Sequence, residues 1–305
     1  MSDVHDVSVV IPSWNTRDLL ALCLESLYAS EGPSFEVIIV DNGSADDSVA
    51  LVEEHYPDVR LIKNERNEGF AIACNQGMAL ARGRYVLLLN TDTETPAGGL
   101  QEMVRFLDEN PEYGALAPRL VFPDGRTQRS VHEFPTLATA FFFATPFERW
   151  FPNSRELKRY FNRDWDHEES RDIDQPPAAV LLVRQGVLNQ IGLFDENLWL
   201  FYNDVDLSLR IKHAGWKTRY HGEVSFVHHH GSSTAKFGDF LSQWQKDRLA
   251  YYRKHYGFFG SVWIKFCVGM AFADYMQQQL RNKLRRRPSE PIRKLARQYF
   301  SFLRA

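Results

Sequence analysis

Four short apolar runs, each ending in polar turn chemistry, set the pattern of the first third of the chain. Val7 to Pro12, Phe35 to Val40, Val59 to Lys63 and Tyr85 to Leu89 read as strands. The last run is apolar throughout, without alternation, as in a parallel strand covered on both faces. Between the runs, apolar positions recur at helical spacing. Leu19, Leu20, Cys23, Leu24 and Leu27 predict a helix that Asn15 or Thr16 can cap. Ser44 is placed to cap a second helix through Tyr56, with Asp46 and Asp47 favourable in its first turn. A third helix is predicted from about Ala71 to Ala81, after the polar turn Asn64 to Phe70. Alternating strands and helices with short connections predict an α/β fold with a parallel sheet and right-handed crossovers. Farther on, Val224 to Val227 predicts a strand that puts His228 and His230 on one face and His229 on the other.

Composition adds bounds. The chain has 305 residues, 44% hydrophobic and 25% charged, enough for one large domain or one domain with an elaboration. Its three cysteines, Cys23, Cys74 and Cys267, lie far apart in apolar, helix-like contexts. They read as reduced core residues in a reducing compartment. The polar N-terminus runs into a strand at Val7 and shows no signal-peptide pattern. The net charge of −3 hides an asymmetry: residues 281–305 carry nine Lys/Arg against Glu290 alone, a balance of +8, which leaves −11 for the rest.

The strand ends collect the chemistry. In an open α/β sheet the ligand crevice lies beyond the carboxyl ends of the strands, so Pro12, Asp41 and Asn90 to Asp92 converge there despite their separation in sequence. Asp41 can accept from ring or ribose donors of a nucleotide, or simply form a turn with Asn42 and Gly43. Asn90, Thr91, Asp92 and Thr93 offer oxygen ligands suited to a divalent cation that shares its shell with water and phosphate oxygens; closing a turn is the plainer alternative. Asp204, at or just before the N-terminus of a helix containing Leu207, Leu209, Arg210 and Ile211, is a candidate general base or a helix cap. No Gly-x-Gly-x-x-Gly follows the first strand and no Gly-Lys-Ser/Thr loop is present, which argues against dinucleotide and P-loop enzymes.

Several blocks together resemble the family 2 glycosyltransferases of the nucleotide-sugar-binding GT-A fold, and among them the rhamnosyltransferase-like branch. They are Val9 to Asn15, Val40 to Asp46, Asn67 to Ala71 with Asn75 and Gly77, and Gly83 to Thr93. Gly192 to Glu196, Tyr202 to Leu207 with Arg210 and Gly215, then His228 and Gly231 complete the series, so the resemblance covers about residues 7 to 235. The resemblance implies a GT-A fold, a mainly parallel sheet flanked by helices; beyond the stretch it covers, the C-terminal part reads as a helical membrane-associating extension. It implies that Asp41 contacts the nucleotide base, with Pro12 and Trp14 lining the same pocket. Asn15, Asn67, Gly69, Asn75, Asn90 and Thr91 complete the expected donor nucleotide site. The family's Asp-x-Asp metal motif falls on Asn90-Thr91-Asp92, where Asn replaces the first Asp, as in the Asn-Pro-Asp-Thr form of the rhamnosyltransferase branch with Thr91 in place of Pro. The cation, Mn²⁺ or Mg²⁺, is therefore expected on Asp92, with His228 as second ligand and His230 as the weaker candidate. The family's Glu-Asp pair falls on Asn203-Asp204, which keeps the catalytic Asp and lacks the Glu.

The remaining segments carry less specific signals. Asp124-Gly125 predicts a hairpin turn. From Phe134 to Trp165 ten aromatic residues crowd together, placed to receive an acceptor, to lie against lipid, or to pack under a long connection. Asp164 to Asp174 reads as an exposed loop that could close over the donor. Phe258 to Tyr275 is apolar but interrupted by Lys265 and Asp274, and a basic run from Arg281 to Arg287 follows; this pattern predicts a segment lying on an anionic membrane surface, with a span or a dimerisation helix as alternatives. Aromatic interleaving is poor there, so no nucleic-acid partner is expected.

These readings combine into residues 1–119 as donor-binding half, 120–235 as acceptor and base half, and 236–305 as helical extension. The expected activity is inverting, metal-dependent transfer of a sugar, rhamnose by resemblance, from a nucleotide-diphosphate donor to a glycan or polyprenyl-linked acceptor. The expected place is the cytoplasm, peripherally attached to the inner face of the membrane. A sugar nucleotidyltransferase would carry a Gly-rich loop where Pro12 to Asn15 stands, and a non-catalytic scaffold would lose Asp41, Asp92 and Asp204.

Overall fold

The computed structural model describes residues 5–229 and 240–285, with Tyr299, Phe302 and Leu303. The first half runs β1 (Val7–Ser13), α1 (Arg17–Ala29), β2 (Phe35–Asp41), α2 (Ser48–His55), β3 (Arg60–Lys63), α3 (Phe70–Met78) and β4 (Tyr85–Leu89). There follow β5 (Thr93–Glu94), α4 (Gly99–Glu109), β6 (Tyr113–Val121), and three short helices, α5 (Leu137–Phe142), α6 (Pro146–Trp150) and α7 (Arg155–Tyr160). The chain then forms β7 (Arg171–Asp172), β8 (Val180–Arg184), α8 (Gln185–Ile191), α9 (Asn203–His213), β9 (Lys217–His228) and α10 (Phe240–Leu284). The first four strands read from apolar runs agree with this to within a residue or so, whereas the run Val224 to Val227 is only the end of β9, which begins at Lys217.

One sheet carries the order β3-β2-β1-β4-β8-β6-β9-β5, with β7 also on β9. Strands β3, β2, β1 and β4 are mutually parallel, as the alternation of strand and helix requires. Beyond β4 the sheet turns mixed: β8 is antiparallel to β4 and β6, whereas β6 and β9 run parallel. Alternation within the apolar runs feeds two cores. Val9, Ile11, Leu87 and Leu89 join one cluster with α1 and α4; Val10, Val86 and Leu88 join the other with α3, α8 and α9. Each such side chain contributes about 1.5–3 kcal/mol when fully buried. The three cysteines are buried and unpaired.

Two local expectations need correction. Ser44 does not cap α2; its Oγ accepts from Asn15 N at 2.8 Å. Instead the Asp46 carboxylate accepts from Arg17 N at 3.0 Å and from Ser48 N at 3.1 Å, so one anion serves the N-termini of both α1 and α2. The segment 164–174 is not a loose exposed loop. Trp165 and His167 are buried with Val131 and Tyr220, Arg171 lies over the Trp165 ring at 3.9 Å, and β7 pairs with β9. The polar residues between them hid those two anchors. The predicted hairpin at Asp124-Gly125 is present, with Gly125 N bonded to Phe122 O.

By compactness the chain divides into one unit of residues 1–132, 165–199 and 203–238, which holds the sheet, and a second of 133–164, 200–202 and 239–305. The second is built on α10, which breaks at Gly257 (φ 62°, ψ −152°). Arg248 donates to the carbonyls of Ala140 and Phe143, Tyr252 to that of Thr136, and Trp263 to that of Leu137, binding α10 to α5. Over Ser242–Leu284 this helix is long and apolar enough to cross a membrane, by length and composition.

Candidate active site

Parallel pairing brings the ends of β1, β2 and β4 to one edge. Ser13 pairs with Asp41, and Asn42 N donates to Ser13 O. Asp41 is buried; its Oδ2 accepts from Ser44 N at 3.0 Å, while Oδ1 has no hydrogen-bond partner among the described residues. Pro12 and Trp14 stand half-buried at the end of β1. Asn15, in a left-handed conformation (φ 53°), ties that end to the next loop by accepting from Ala45 N at 2.7 Å.

A second loop lies alongside, held by Asn42. Its Nδ2 donates to Asn67 Oδ1 and Gly69 O, and its Oδ1 accepts from Asn64 Nδ2 and Glu68 N, at 3.0–3.1 Å. Asn67 is thus engaged in shaping the loop, and Gly69 (φ 103°) allows the turn into α3, where a Cβ would strike the indole of Trp199. Asn75 is engaged elsewhere: its amide bonds to both Phe194 N and O and to Glu196, clipping α3 to the 194–196 segment. Sequence reasoning missed Asn42, because a polar residue after a strand looks like any turn former.

The loop after β4 is pinned from below. Thr93 Oγ1 donates to Asn90 O at 2.6 Å, Cys23 Sγ approaches the same oxygen at 3.6 Å, and Asn90 N donates to Ala179 O at 2.9 Å. Thr91 and Asp92 are buried, Asp92 with 4% of its surface exposed. Asn90 Oδ1 and Asp92 Oδ1 have no hydrogen-bond partner among the described residues, which is costly in a buried site without a ligand.

Opposite them lies His228, paired with Thr93 across the β5–β9 ladder. Gln128 grips it twice: Nε2 donates to the backbone oxygen of His228 at 2.6 Å, and Oε1 faces His228 Nδ1 at 2.8 Å. A carbonyl oxygen only accepts, so the amide nitrogen must face it and the amide oxygen must face Nδ1. The proton therefore sits on Nδ1, and the acceptor nitrogen Nε2 is turned toward Asp92 Oδ1 at 3.5 Å. Two acceptor atoms at that range suit a cation between them. One nitrogen and one oxygen are donors appropriate to Mn²⁺ or Mg²⁺, and Asn90, whose Oδ1 is likewise buried without a hydrogen-bond partner among the described residues, stands two residues before Asp92. Among the described residues no three His, Cys, Asp or Glu side chains converge. His230 lies outside the described residues. His229 faces the other way and pairs with Glu94 at 2.6 Å.

Asp204 sits in the first turn of α9. Its carboxylate accepts from Val205 N at 2.8 Å and from the Ala178 backbone, while the adjoining Ala179 O holds Asn90 N. The dipeptide Ala178-Ala179 thus ties Asp204 and the Asn90–Asp92 loop to the same point. Asp204 keeps a partial opening to solvent, yet protein crowds its remaining sides, and this desolvation pushes its pKa up to about 6, against the pull of the backbone donors of Val205, Ala178 and Asp204 itself. Asn203 is buried and accepts from Asp204 N. Asp206 is turned into the core, paired with Arg210 at 2.8 Å.

The profile of glycosyl transferase family 2 matches residues 8–168, more than half of the chain. The chain belongs to glycosyl transferase family 2. It is a glycosyltransferase, and its likeness to the rhamnosyltransferase-like branch holds at the level of relatives. The N-acetylglucosaminyl-diphospho-decaprenol L-rhamnosyltransferase of Mycobacterium tuberculosis is 28% identical over 77% of this chain and 79% of its own length. The O-antigen biosynthesis protein RfbC of Myxococcus xanthus is 29% identical over 74% of this chain and 17% of its own. Among solved structures, a mannosyltransferase from Pyrobaculum calidifontis in complex with GDP-Man and Mn²⁺ aligns with a TM-score of 0.53, at 19% identity, over 90% of this chain and 65% of that one. TarS 1–349 of S. aureus aligns at 0.53 and 17% identity over 81% and 64%. This family 2 glycosyltransferase has the GT-A fold, and it spans a little under two thirds of the length of those solved structures.

Proposed function

We propose that this glycosyltransferase transfers a sugar with inversion from a nucleotide-diphosphate donor, with rhamnose carried by deoxythymidine diphosphate the expected donor. The acceptor is a glycan or polyprenyl-linked molecule in cell-surface polysaccharide synthesis. The activity named for the mycobacterial relative supports the choice of sugar and of a diphospho-polyprenol acceptor. The observation that carries the reading is the set of buried oxygens at one sheet edge, Asp41 Oδ1, Asn90 Oδ1 and Asp92 Oδ1, without hydrogen-bond partners among the described residues, with the Asn90–Asp92 loop tied through Ala178-Ala179 to a carboxylate with a raised pKa.

In this reading Asp41 binds the base, with Pro12 and Trp14 beside it. Asn15, Asn67 and Gly69 keep the two flanking loops in shape, and Asn90 and Thr91 face the phosphates. Asp92 and His228, with Asn90 two residues before Asp92, would hold the divalent cation, which would supply positive charge against the departing diphosphate. Asp204 takes the proton of the acceptor hydroxyl as that oxygen attacks the anomeric carbon. A pKa near 6 leaves it ionised at neutral pH and still basic enough to help. The enzyme works at the cytoplasmic face of the membrane, attached through α10 and the basic residues after it; those beyond Arg285 lie outside the described residues.

The test is calorimetric titration with uridine, deoxythymidine and guanosine diphosphates, with and without Mn²⁺. One diphosphate should bind in a cation-dependent way, Asp92→Ala should abolish that binding, and Asp204→Asn should leave it intact. Absence of binding by all three would overturn the transferase site as drawn.

A further inference from the structure

The second compact unit carries an apolar surface that the donor site does not use. Around α5 and α6 a groove of about 510 Å³ is lined by Phe141, Phe142, Phe147, Trp150, Phe151 and Pro152. Trp150 and Phe151 are 57% and 54% exposed. The groove does not end at α6. Ring centroids step from Phe151 to Phe147 (6.2 Å), Phe147 to Phe141 (4.2 Å), Phe141 to Trp263 (6.0 Å) and Trp263 to Phe266 (5.6 Å), passing from the groove onto α10. There Phe258, Phe259, Val262 and Phe266 are exposed, Phe258 at 85%.

The charges that interrupt this stretch in sequence are used inside the unit: Asp274 pairs with Arg149 at 2.9 Å, and Lys265 Nζ donates to Leu303 O at 2.9 Å. Ile264, Cys267 and Val268 are buried, so one side of the helix is committed to protein and α10 is not surrounded by lipid as a span would be. The unit's sequence carries 19 Lys/Arg against 8 Asp/Glu, a balance of +11, leaving −14 for the remainder of the chain. Exposed aromatic residues on a strongly cationic body match the anionic interface of a bilayer. A single isoprenoid chain would fill the groove but leave the α10 strip uncovered.

We propose that α5, α6 and the part of α10 after Gly257 form one membrane-binding face, with the groove taking acyl chains of anionic phospholipid. The idea rests on the peripheral attachment proposed above and assigns its contact surface. The full chain should co-sediment with vesicles of phosphatidylcholine plus phosphatidylglycerol, weakly with phosphatidylcholine alone, and less as salt rises. Trp150→Ser/Phe151→Ser and Phe259→Ser/Phe266→Ser should each weaken binding by about tenfold or more. Brominated acyl chains should quench fluorescence that Trp150→Phe removes. Unchanged binding in the Trp150/Phe151 variant, or no quenching of Trp150, would overturn the shared face. So would a dimer in light scattering that these variants dissociate while no vesicles bind. Nucleotide diphosphate titration of the same variants should be unaltered, so a failure of the donor site would show there and not in the vesicle result.

Discussion

Replacing Asp204 with Asn should cost activity and raise stability, with a pH signature that a merely structural residue would lack. Burial raises the folded-state pKa from the ordinary 3.8 to about 6. Between those values the folded protein holds the proton more tightly than the unfolded chain does. Stability therefore falls as pH rises through that window, and the full cost is present above about pH 6. The gap corresponds to about 3 kcal/mol. Asn cannot ionise, so it escapes this cost, but its neutral amide oxygen is a weaker acceptor than a carboxylate for Val205 N and the Ala178 backbone, and that loss returns about 1 kcal/mol. The net expectation is a variant about 2 kcal/mol more stable than wild type at pH 8, with the advantage gone by about pH 4. Transfer should drop by about 10²-fold to 10⁴-fold, the usual contribution of a positioned base. Wild-type kcat/KM should fall as pH drops below about 6. Urea unfolding of both proteins across pH 4 to 8, with radiolabelled sugar transfer, reads all three. A variant less stable than wild type at every pH, or one that keeps its activity, would refute the assignment.

Other expectations follow from the same geometry. Gln128→Leu removes both grips on His228 and should weaken Mn²⁺ binding, read by electron paramagnetic resonance without substrate, by about 10-fold to 100-fold; Gln128→Glu keeps the acceptor for Nδ1 but loses the donor to the His228 carbonyl, and should fall between Gln128→Leu and wild type. Gly69→Ala places a Cβ against Trp199 at φ 103° and should destabilise the protein by about 2 kcal/mol or more, seen as a lower Tm with reduced nucleotide diphosphate affinity. Chelation with EDTA should lower transfer by about a hundredfold or more, restored by Mn²⁺ or Mg²⁺.

The parallel half of the fold was legible because its strands are buried on both faces, so Tyr85–Leu89 shows as an unbroken apolar run. Asp41 and Asp92 were legible as candidates because they end or closely follow such strands, where a sheet of this kind presents ligands, and Asp204 because it opens a helix. What sequence could not show was pairing across distance. Gln128 faces His228 only because β6 runs parallel to β9 and the hairpin after Val121 folds back along it, a contact across 100 residues. The Ala178-Ala179 link to Asp204 depends in the same way on β8 returning antiparallel to β4. The buried Trp165 and His167 were masked by the acidic residues around them, and the aromatic insertion could not be assigned to α10 from composition.

Between His221 and Ser225 the β9 strand holds Gly222, Glu223 and Val224 as an excess over β6, and this bulge sets which residue arrives opposite Thr93. That arrival point is spelled by the first of three successive histidines. If one residue of the bulge, such as Glu223, were lost, either the bulge would shrink and His228 would keep its place, or the strand would slip by one and His229 would take it. In both cases an imidazole comes opposite Thr93. For the cation ligand proposed above, repetition works as redundancy: a histidine written more than once tolerates a frameshift of the strand that a single one would not survive.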